Sequence, residues 1–302
     1  MATYTVTFDS DGGSTPSPQS KSVTVGSTYG TLPTVSRSGY TFAGWWTSQS
    51  GGTEITSSST VSSSSDHTLY ARWDEEAIGT GEWTVTGNNL TDPDGNTYTT
   101  VIIGNQEWTV ENLRSTKYAD GTDIPNVTDN TDWAGLSTPA YCWMNNNSAQ
   151  GYGALYNWWV VDPANPKQIA PEGWRVPTDA DWTALENYLI ANGYNWDGST
   201  TGNKIGKAVA SSGGEWESWE DVGTVGNDQE SNNSTGFSAL PGGYRGNLGH
   251  FSTVGFDGFW WSATEHDAFD AWARDLFFFD VPLFRFNYGK RLGFSVRLVR
   301  DI

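Results

Sequence analysis

The sequence predicts an α+β chain that is mostly β, with about two helices, and that begins with a small, separate module of strands. Alternation of apolar and polar residues recurs along much of its 302 residues, whereas only the segment 178–193 has clear helical spacing. An acidic, glycine-containing segment, DEEAIGTGE at 74–82, divides the chain and predicts a linker. The expected organisation is a module at 1–73, a linker at 74–82 and a larger domain at 83–302.

Residues 1–73 carry the pattern of a small sheet. The run YTVTFD at 4–9 alternates apolar and polar residues, which is typical of a strand with one buried face. DGG at 11–13 predicts a turn, and SVTVG at 22–26 alternates again until glycine ends it. Two more strand-like runs lie at 39–46 and 68–73, and serine and threonine fill the loops. No amphipathic helix is evident in this part.

The larger domain also shows mainly strand signals. Two strand-like runs flank Gly104-Asn105 and predict a hairpin over 97–110. Thr178 is a suitable helix N-cap; Trp182, Leu185, Tyr188 and Leu189 follow at helical spacing, and Gly193 ends the helix. A weaker helical pattern covers 204–210. Further strands are expected at 259–262, 271–279 and 293–299.

Composition and charge exclude several classes of protein. Apolar residues are only 36% of the chain, but 17 Trp, 13 Tyr and 13 Phe can each bury a large area, so disorder of the whole chain is not expected. A net charge of −19 would repel phosphate backbones, so nucleic acid is not an expected partner. No apolar run is long enough to insert into a membrane, and the N-terminus lacks a secretion signal. One cysteine and three histidines favour neither a disulfide framework nor a zinc or other metal site.

Three motifs of the first module, YTVTFDSDGG, GYTFAGWW and TLYARW, resemble the Listeria–Bacteroides repeat of bacterial surface proteins. The resemblance implies a β-grasp-like fold for 1–73 and a role as a spacer or adhesive unit. It brings no catalytic residues. Since the chain holds one copy, no repeat array is implied.

A series of motifs in the larger domain resembles the Fibrobacter succinogenes major paralogous domain, which implies a C-type-lectin-like fold for about 90–302. The motifs occur in the order DPDGNTYTTVIIGNQEWTVENLR, IPNVTDNTDW, PAYCWMNN, YGALYNWW, GWRVPTDADW, GFSALPGGYR, WWSATE and GFSVRLVRD.

Several proteins similar to this one in fold and tail are variable products of diversity-generating retroelements. There, an error-prone reverse transcriptase miswrites template adenines, and the copy replaces the 3′ end of the gene. The resemblance implies a variable region at about 262–292, where template Asn codons (AAC) would have been rewritten. Lys, Glu, Gln, Trp and Met cannot arise from AAC in this way, and over 277–292 only Lys290 is one of these residues.

The expected surface is an aromatic-rich segment at 266–292, with six Phe and one Tyr, between scaffold-like flanks. Clustered exposed rings usually mark a binding surface, and rigid aromatic side chains give large contact area at low entropic cost. Charged neighbours such as Asp280 and Arg285 would steer and select a ligand. The residues expected to contact a ligand are His266, Asp267, Phe269, Asp270, Ala273, Phe277, Phe279, Asp280, Pro282, Phe284, Phe286, Asn287, Tyr288, Gly289 and Leu292.

Two interpretations of these rings remain open at this point. Phe284, Phe286 and Tyr288 alternate with Arg285 and Asn287, which also fits a half-buried strand with its rings in the core. Pro282 disfavours a central strand. If the rings contact a ligand, their replacement by alanine is expected to weaken binding while thermal unfolding changes little.

Other candidate sites have simpler interpretations. Glu265-His266-Asp267 is interpreted as a polar loop rather than an acid–base or metal site, because no fixed partner is evident. Asp92-Pro93-Asp94-Gly95 begins like a calcium loop but lacks the later ligands, so a turn is expected. Cys142, between aromatic neighbours, is expected to be a buried small residue. The pairs Trp158-Trp159 and Trp260-Trp261 could stack on sugars but are expected in the core.

The sequence favours a non-enzymatic binding protein without a cofactor, located outside the cell on a bacterial surface or on a virion. Its partner would be a protein or another macromolecule on a cell surface. The alternative is an undiversified adhesin or polysaccharide-binding module with a fixed ligand. An enzyme of the formylglycine-generating type, which the broad fold also allows, is disfavoured because a second cysteine is missing.

Overall fold

A computed structural model of the chain describes residues 2–37, 40–75, 84–86 and 89–302. The chain divides into two compact units, 1–78 and 79–302. Strands dominate both units and helices are few, so the predicted mixed, β-rich fold is confirmed at that level. Residues 76–82 of the predicted linker lie outside the described part, whereas 74 and 75 belong to a strand.

The first unit is one five-stranded sheet. Its strands are β1 (Thr3–Asp9), β2 (Ser20–Thr24), β3 (Tyr40–Trp46), β4 (Glu54–Ile55) and β5 (His67–Glu75). They lie in the order β2-β1-β5-β3-β4, with β1 and β5 parallel and the other neighbours antiparallel. Val6, Phe8, Trp45 and Leu69 are buried in its core. The alternation in the sequence therefore marks the buried face correctly.

The second unit contains twelve strands and four α-helices among the described residues. The strands are β6 (Thr84–Thr86), β7 (Asn89–Thr91), β8 (Thr97–Ile103), β9 (Gln106–Thr109), β10 (Tyr141–Trp143), β11 (Ala154–Tyr156), β12 (Tyr244–Arg245), β13 (Phe251–Ser252), β14 (Asp257–Glu265), β15 (Asp270–Phe277), β16 (Phe284–Gly289) and β17 (Val299–Asp301). The helices are α1 (Asn130–Ala134), α2 (Trp158–Val161), α3 (Asp179–Ala191) and α4 (Gly206–Val209). The larger sheets have the orders β17-β9-β8-β7-β6 and β14-β15-β16, and β10-β11 and β12-β13 form separate pairs.

Helix α3 is the element that the sequence predicts best. The Thr178 hydroxyl accepts a hydrogen bond from the backbone N–H of Asp181, and the Asp181 carboxylate accepts one from the N–H of Thr178. This reciprocal pair satisfies two N–H groups at the start of the helix. Trp182, Leu185 and Leu189 are buried on one side. The predicted helix is therefore confirmed, and the weaker pattern at 204–210 becomes the short α4.

Strand β14 lies between two apolar cores. Phe259 and Trp261 belong to one core, whereas Trp260 belongs to the other together with Leu276 and the buried face of α3. Because both faces are covered, the centre of β14, Phe259-Trp260-Trp261, is apolar on consecutive positions. The strand signal therefore comes from a buried run and not from alternation.

The tail that follows β16 is held by a buried arginine. Arg297 is fully buried, and its guanidinium donates to the carbonyl oxygens of Thr109 at 3.1 Å and Ser238 at 2.8 Å, and to that of Phe237. It also donates to the Asn112 side-chain oxygen at 3.1 Å. These bonds connect the tail to the end of β9 and to the loop at 237–238. The motif GFSVRLVR is therefore part of the scaffold.

Within the described residues, every helix falls short of the length and apolarity that a membrane span needs.

Candidate ligand-binding surface

The predicted contact residues lie along one antiparallel hairpin and the turn that precedes it. Strands β15 and β16 pair with Ala273 opposite Phe286, and β16 is the outer strand of its sheet. Pro282 lies in the connecting loop, outside both strands. Proline is tolerated there because it removes no hydrogen bond from the ladder.

One face of the hairpin is fixed to helix α3 by charged groups. The fully buried Arg274 donates to the Asp179 carboxylate at 2.8 Å and also pairs with Glu186. Arg285 pairs with the same Asp179 at 2.8 Å, and its guanidinium lies 3.4 Å from the ring centroid of Trp272. Burial alone would raise the pKa of Asp179, but the two arginines hold it below its usual value. The side chain of Arg285, which we expected to steer a ligand, is therefore engaged within the scaffold.

The opposite face carries an unbroken line of rings. The centroids of Phe279 and Phe277 are 5.8 Å apart, those of Phe277 and Phe284 5.4 Å, those of Phe284 and Phe286 5.6 Å, and those of Phe286 and Tyr288 6.4 Å. We call these five side chains the aromatic row. Phe279 is 44% exposed and Phe286 45% exposed. The other three rings are partly buried, and a line of contiguous rings that reaches solvent in this way is typical of a binding surface.

Burial within the aromatic row is graded. Tyr288 is partly buried, with its ring 5.2 Å from Phe294 and 6.0 Å from Phe259. Its hydroxyl donates a hydrogen bond to the buried Asp275 carboxylate at 2.5 Å. The core interpretation left open by the alternation therefore describes Tyr288, and ligand contact stays a prediction for the exposed ring of Phe286. Phe286 projects into solvent, whereas Tyr288 is anchored in the core.

Two rings that the sequence did not indicate lie beside Phe279 of the aromatic row and its neighbour Phe278. Trp219 lies 6.2 Å from Phe279 and 5.3 Å from Phe278, and Phe256 lies 5.4 Å from Phe278. Trp219 and Phe256 are each 43% exposed. Both sit in irregular segments outside the hairpin, so no local pattern could have placed them beside it.

The turn between β14 and β15 forms a separate part of the predicted surface. Asp267 shapes it, because one carboxylate oxygen accepts hydrogen bonds from the N–H groups of Phe269 at 2.8 Å and Asp270 at 2.9 Å. The ring of Phe269 is 82% exposed. Asn287 reaches this turn from β16 by donating to the Asp270 carboxylate at 3.2 Å. The turn lies at the end of β15 opposite the loop that carries Phe279.

His266, Asp267 and Asp270 bring three possible metal-ligand atoms within 4.8 Å of one another. The backbone N–H groups of Phe269 and Asp270 lower the pKa of Asp267. Its carboxylate therefore stabilises the turn as a hydrogen-bond acceptor. The His266 ring packs edge-on against Trp272 at 4.7 Å. The arrangement fits the polar loop expected from the sequence.

Comparison with known families matches each of the two units to a domain family. The sequence model of the Fibrobacter succinogenes major domain matches residues 101–300. The chain belongs to the Fibrobacter succinogenes major domain family. The model of the Listeria-Bacteroides repeat domain matches residues 4–72, so both resemblances seen in the motifs are confirmed at the level of the domain families. No curated protein matches the chain.

Within this Fibrobacter succinogenes major domain, one predicted contact has to be corrected. Ala273 is fully buried, because it lies in the middle strand between Trp261 and Phe286. It cannot contact a ligand. The remaining predicted positions, namely Asp280, Pro282, Gly289 and Leu292, are partly exposed.

The other candidate sites in this member of the family have structural roles. Cys142 is buried, and burial raises the pKa of its thiol to about 12, which makes it a poor nucleophile. The Asp92 carboxylate accepts hydrogen bonds from the Tyr98 hydroxyl at 2.5 Å and the Asn96 N–H at 2.8 Å, and so closes a turn. Trp158, Trp260 and Trp261 are buried, which confirms the core interpretation for these three.

Proposed function

We propose that this chain is a non-enzymatic ligand-binding protein. Its larger domain, with a C-type-lectin-like fold, displays a retroelement-diversified surface over about 262–292. The first unit, with a β-grasp-like fold, is a spacer or adhesive module. The protein acts outside the cell, on a bacterial surface or a virion. Its partner is a protein or another macromolecule on a cell surface.

The aromatic row is the observation that carries this proposal. Phe279 and Phe286 are exposed although the sheet beneath them is buried, and they lie on an outer strand and its adjoining loop, while the other face of the hairpin is clamped to α3. The side chains at these two positions can change without disturbing the core. Rigid rings then supply contact area at little entropic cost.

The position of Lys290 agrees with diversification. It is the one residue over 277–292 that rewriting of an AAC codon cannot produce. The side chain is buried, pairs with Glu265 and lies 4.7 Å from the ring centroid of Trp158. A residue with this structural role should stay constant while its neighbours vary.

Sequencing the DNA downstream of the gene tests the diversification directly. We expect a near-copy of the 3′ end beside a reverse-transcriptase gene, differing from the coding copy only where the near-copy has adenine. The differing codons should include those of Phe279 and Phe286 and should leave Lys290 and Arg274 unchanged. Differences spread over all four bases would contradict the proposal.

The second candidate function is an undiversified adhesin or polysaccharide-binding module. Trp219 and Phe256 favour it, because these two exposed rings lie outside 262–292, Trp219 next to Phe279 of the aromatic row and Phe256 next to Phe278. A fixed ligand could use all of these rings as one stacking surface. Absence of any template copy near the gene, together with an unvarying 262–292 in sister strains, would decide for this alternative.

A further inference from the structure

Beside the aromatic row, on the same face of the sheet, a pocket of about 280 Å³ opens to solvent. Rings of Phe259, Phe277, Tyr288 and Phe294 line it, together with Leu292 and Asp257. This volume is at the small end of ligand pockets, which commonly span about 300–1,000 Å³. It therefore suits a single side chain of a larger partner.

A second carboxyl group, that of Asp275, lies behind the rings that line the pocket. Asp275 and Asp257 are diagonal neighbours on the same face, since Asp275 pairs with Phe259 and Asp257 with Phe277. The Tyr288 hydroxyl donates to one oxygen of Asp275, and the other oxygen, although buried, has no hydrogen-bond partner among the described residues. A buried acceptor without a donor is costly unless something supplies one.

No cation of the described chain neutralises these two carboxyl groups by a salt bridge. Arg274 is adjacent to Asp275 in sequence but points to the opposite face, where Asp179 and Glu186 bind it. The titratable groups that face the pair are the hydroxyls of Tyr288 and Tyr244. Burial raises the pKa of Asp257 to about 6 and that of Asp275 to about 7. Both groups therefore gain negative charge as the pH rises through the neutral range.

We propose that this pocket receives the positively charged end of a lysine or arginine side chain from a protein ligand. Rings on several sides and a carboxylate at the wall are the two features that bind an organic cation, through cation–π attraction and charge pairing. The net charge of −19 would also draw a basic segment toward the protein. The inference deepens the proposed function and rests on it, because the pocket opens onto the proposed binding face.

The pocket joins constant and variable residues. Asp257, Phe259 and Phe294 lie outside 262–292, whereas Phe277, Tyr288 and Leu292 lie inside it. The charge preference is therefore built into the scaffold. Diversification would change the width and depth of the pocket entrance, whereas Asp257 would keep the preference for a cation.

The test uses n-butylammonium as a probe for the lysine side chain and 1-butanol as its neutral counterpart. Both are titrated into the full chain with 13C-labelled leucine methyl groups, and the Leu292 signal, assigned with a Leu292→Ile variant, reports binding. We expect a saturable shift with the ammonium ion. The affinity for the alcohol should be lower by about tenfold or more, a ratio that corresponds to one charge-assisted contact. Raising the pH from 5 to 8 should strengthen binding of the ammonium ion and leave that of the alcohol unchanged.

Asp257→Asn is the decisive variant. It should reduce the affinity for n-butylammonium by about tenfold and leave that for 1-butanol unchanged. Asp123→Asn, the same change at a side chain that is 83% exposed and outside both the pocket lining and the predicted contact residues, serves as the matched control and should alter neither. If the Asp257→Asn variant did not fold, the natural chain would still test the inference. Its affinities for n-butylammonium and 1-butanol, and the dependence of their ratio on pH, are measured without the variant.

Equal affinity for the two probes, or no saturable shift with either, would overturn the inference. The proposed function would survive that result, because it depends on the exposed aromatic row and on the template copy in the DNA. Conversely, a missing template copy would contradict the proposed diversification but would not affect the evidence for the cation pocket.

Discussion

The Tyr288 hydroxyl donates a 2.5 Å hydrogen bond to the carboxylate of Asp275, a residue with no exposed surface. This contact joins the proposed variable surface to the core, since Asp275 lies in the middle strand of the sheet. One end of the aromatic row is therefore fixed by a polar anchor. The other end, at Phe279, is open to solvent.

Asp275→Asn should change how stability depends on pH. Burial raises the pKa of Asp275 to about 7 in the folded chain, whereas the unfolded carboxyl titrates near its ordinary value of 3.8. Between these values the folded state binds the extra proton, so stability falls as the pH rises across this window. The asparagine variant should therefore be more stable than the natural chain at pH 8, at about 1.4 kcal/mol for each pKa unit removed, and similar to it at pH 4.

Thermal unfolding at several pH values from 4 to 8 measures this difference. The amide oxygen of the Asp275→Asn variant can still accept the Tyr288 hydrogen bond, so the comparison isolates the charge. Some slope should remain in the variant, because burial also raises the pKa of Asp257. Parallel curves for the two proteins would show that Asp275 does not titrate in this range.

Phe286→Ala should change the free energy of unfolding only slightly. The ring is 45% exposed and stacks on Phe284, so its loss should cost about 1 kcal/mol of unfolding free energy. Trp261→Ala is the control for a core position and should cost about 3–5 kcal/mol. Urea unfolding followed by circular dichroism gives both values.

Tyr288→Ala should destabilise the chain clearly more than Phe286→Ala. It removes a partly buried ring and leaves the Asp275 carboxylate without its donor. The expectation from sequence that all three rings of β16 can be removed at little cost is therefore revised for Tyr288. Equal losses of stability at the two positions would argue against the graded burial.

Arg274→Ala should damage the fold far more than Arg285→Ala, although both arginines pair with Asp179. Arg274 is fully buried, so its removal leaves Glu186 without its cation and Asp179 with Arg285 alone, at a cost of about 3–5 kcal/mol. Arg285 is 41% exposed, and its ion pair should contribute about 1 kcal/mol or less. Similar midpoints in urea for the two variants would mean that α3 does not depend on the buried ion pair.

Cys142 should resist thiol reagents in the native protein. Its thiol is buried and has a pKa of about 12, so the reactive thiolate is scarce at pH 8. A chromogenic disulfide reagent should label it slowly in buffer and rapidly in 6 M guanidinium, with free cysteine as the standard. Fast labelling of the folded chain would reopen a role for this residue in chemistry.

Local patterns in the sequence predicted several elements well. The hairpin over 97–110 and helix α3 follow from turn residues, caps and periodicity that act within a few residues of one another. Helices α1 and α2 were missed, because elements of four or five residues are too short to show a period. The motifs that resemble the two families lie in the regions that both family models match.

The candidate site was only partly predictable. The sequence indicated the segment that holds the aromatic row, but the alternation of its rings could not say which ring faces solvent. That depends on what covers the sheet, and Ala273 was misplaced for the same reason. Trp219, Phe256 and the Asp257–Asp275 pair were missed because contacts between distant segments leave no local pattern.

The sequence by itself determined the two-part organisation, the strand-rich character and the family of this chain, because these depend on local periodicity and on ordered motifs. Tertiary structure alone decided that Arg274 is buried against Asp179 while Phe286 projects into solvent, since burial is a property of the packed neighbours and not of the residue. The division between scaffold and displayed surface is therefore set by which face of the β15–β16 hairpin meets helix α3.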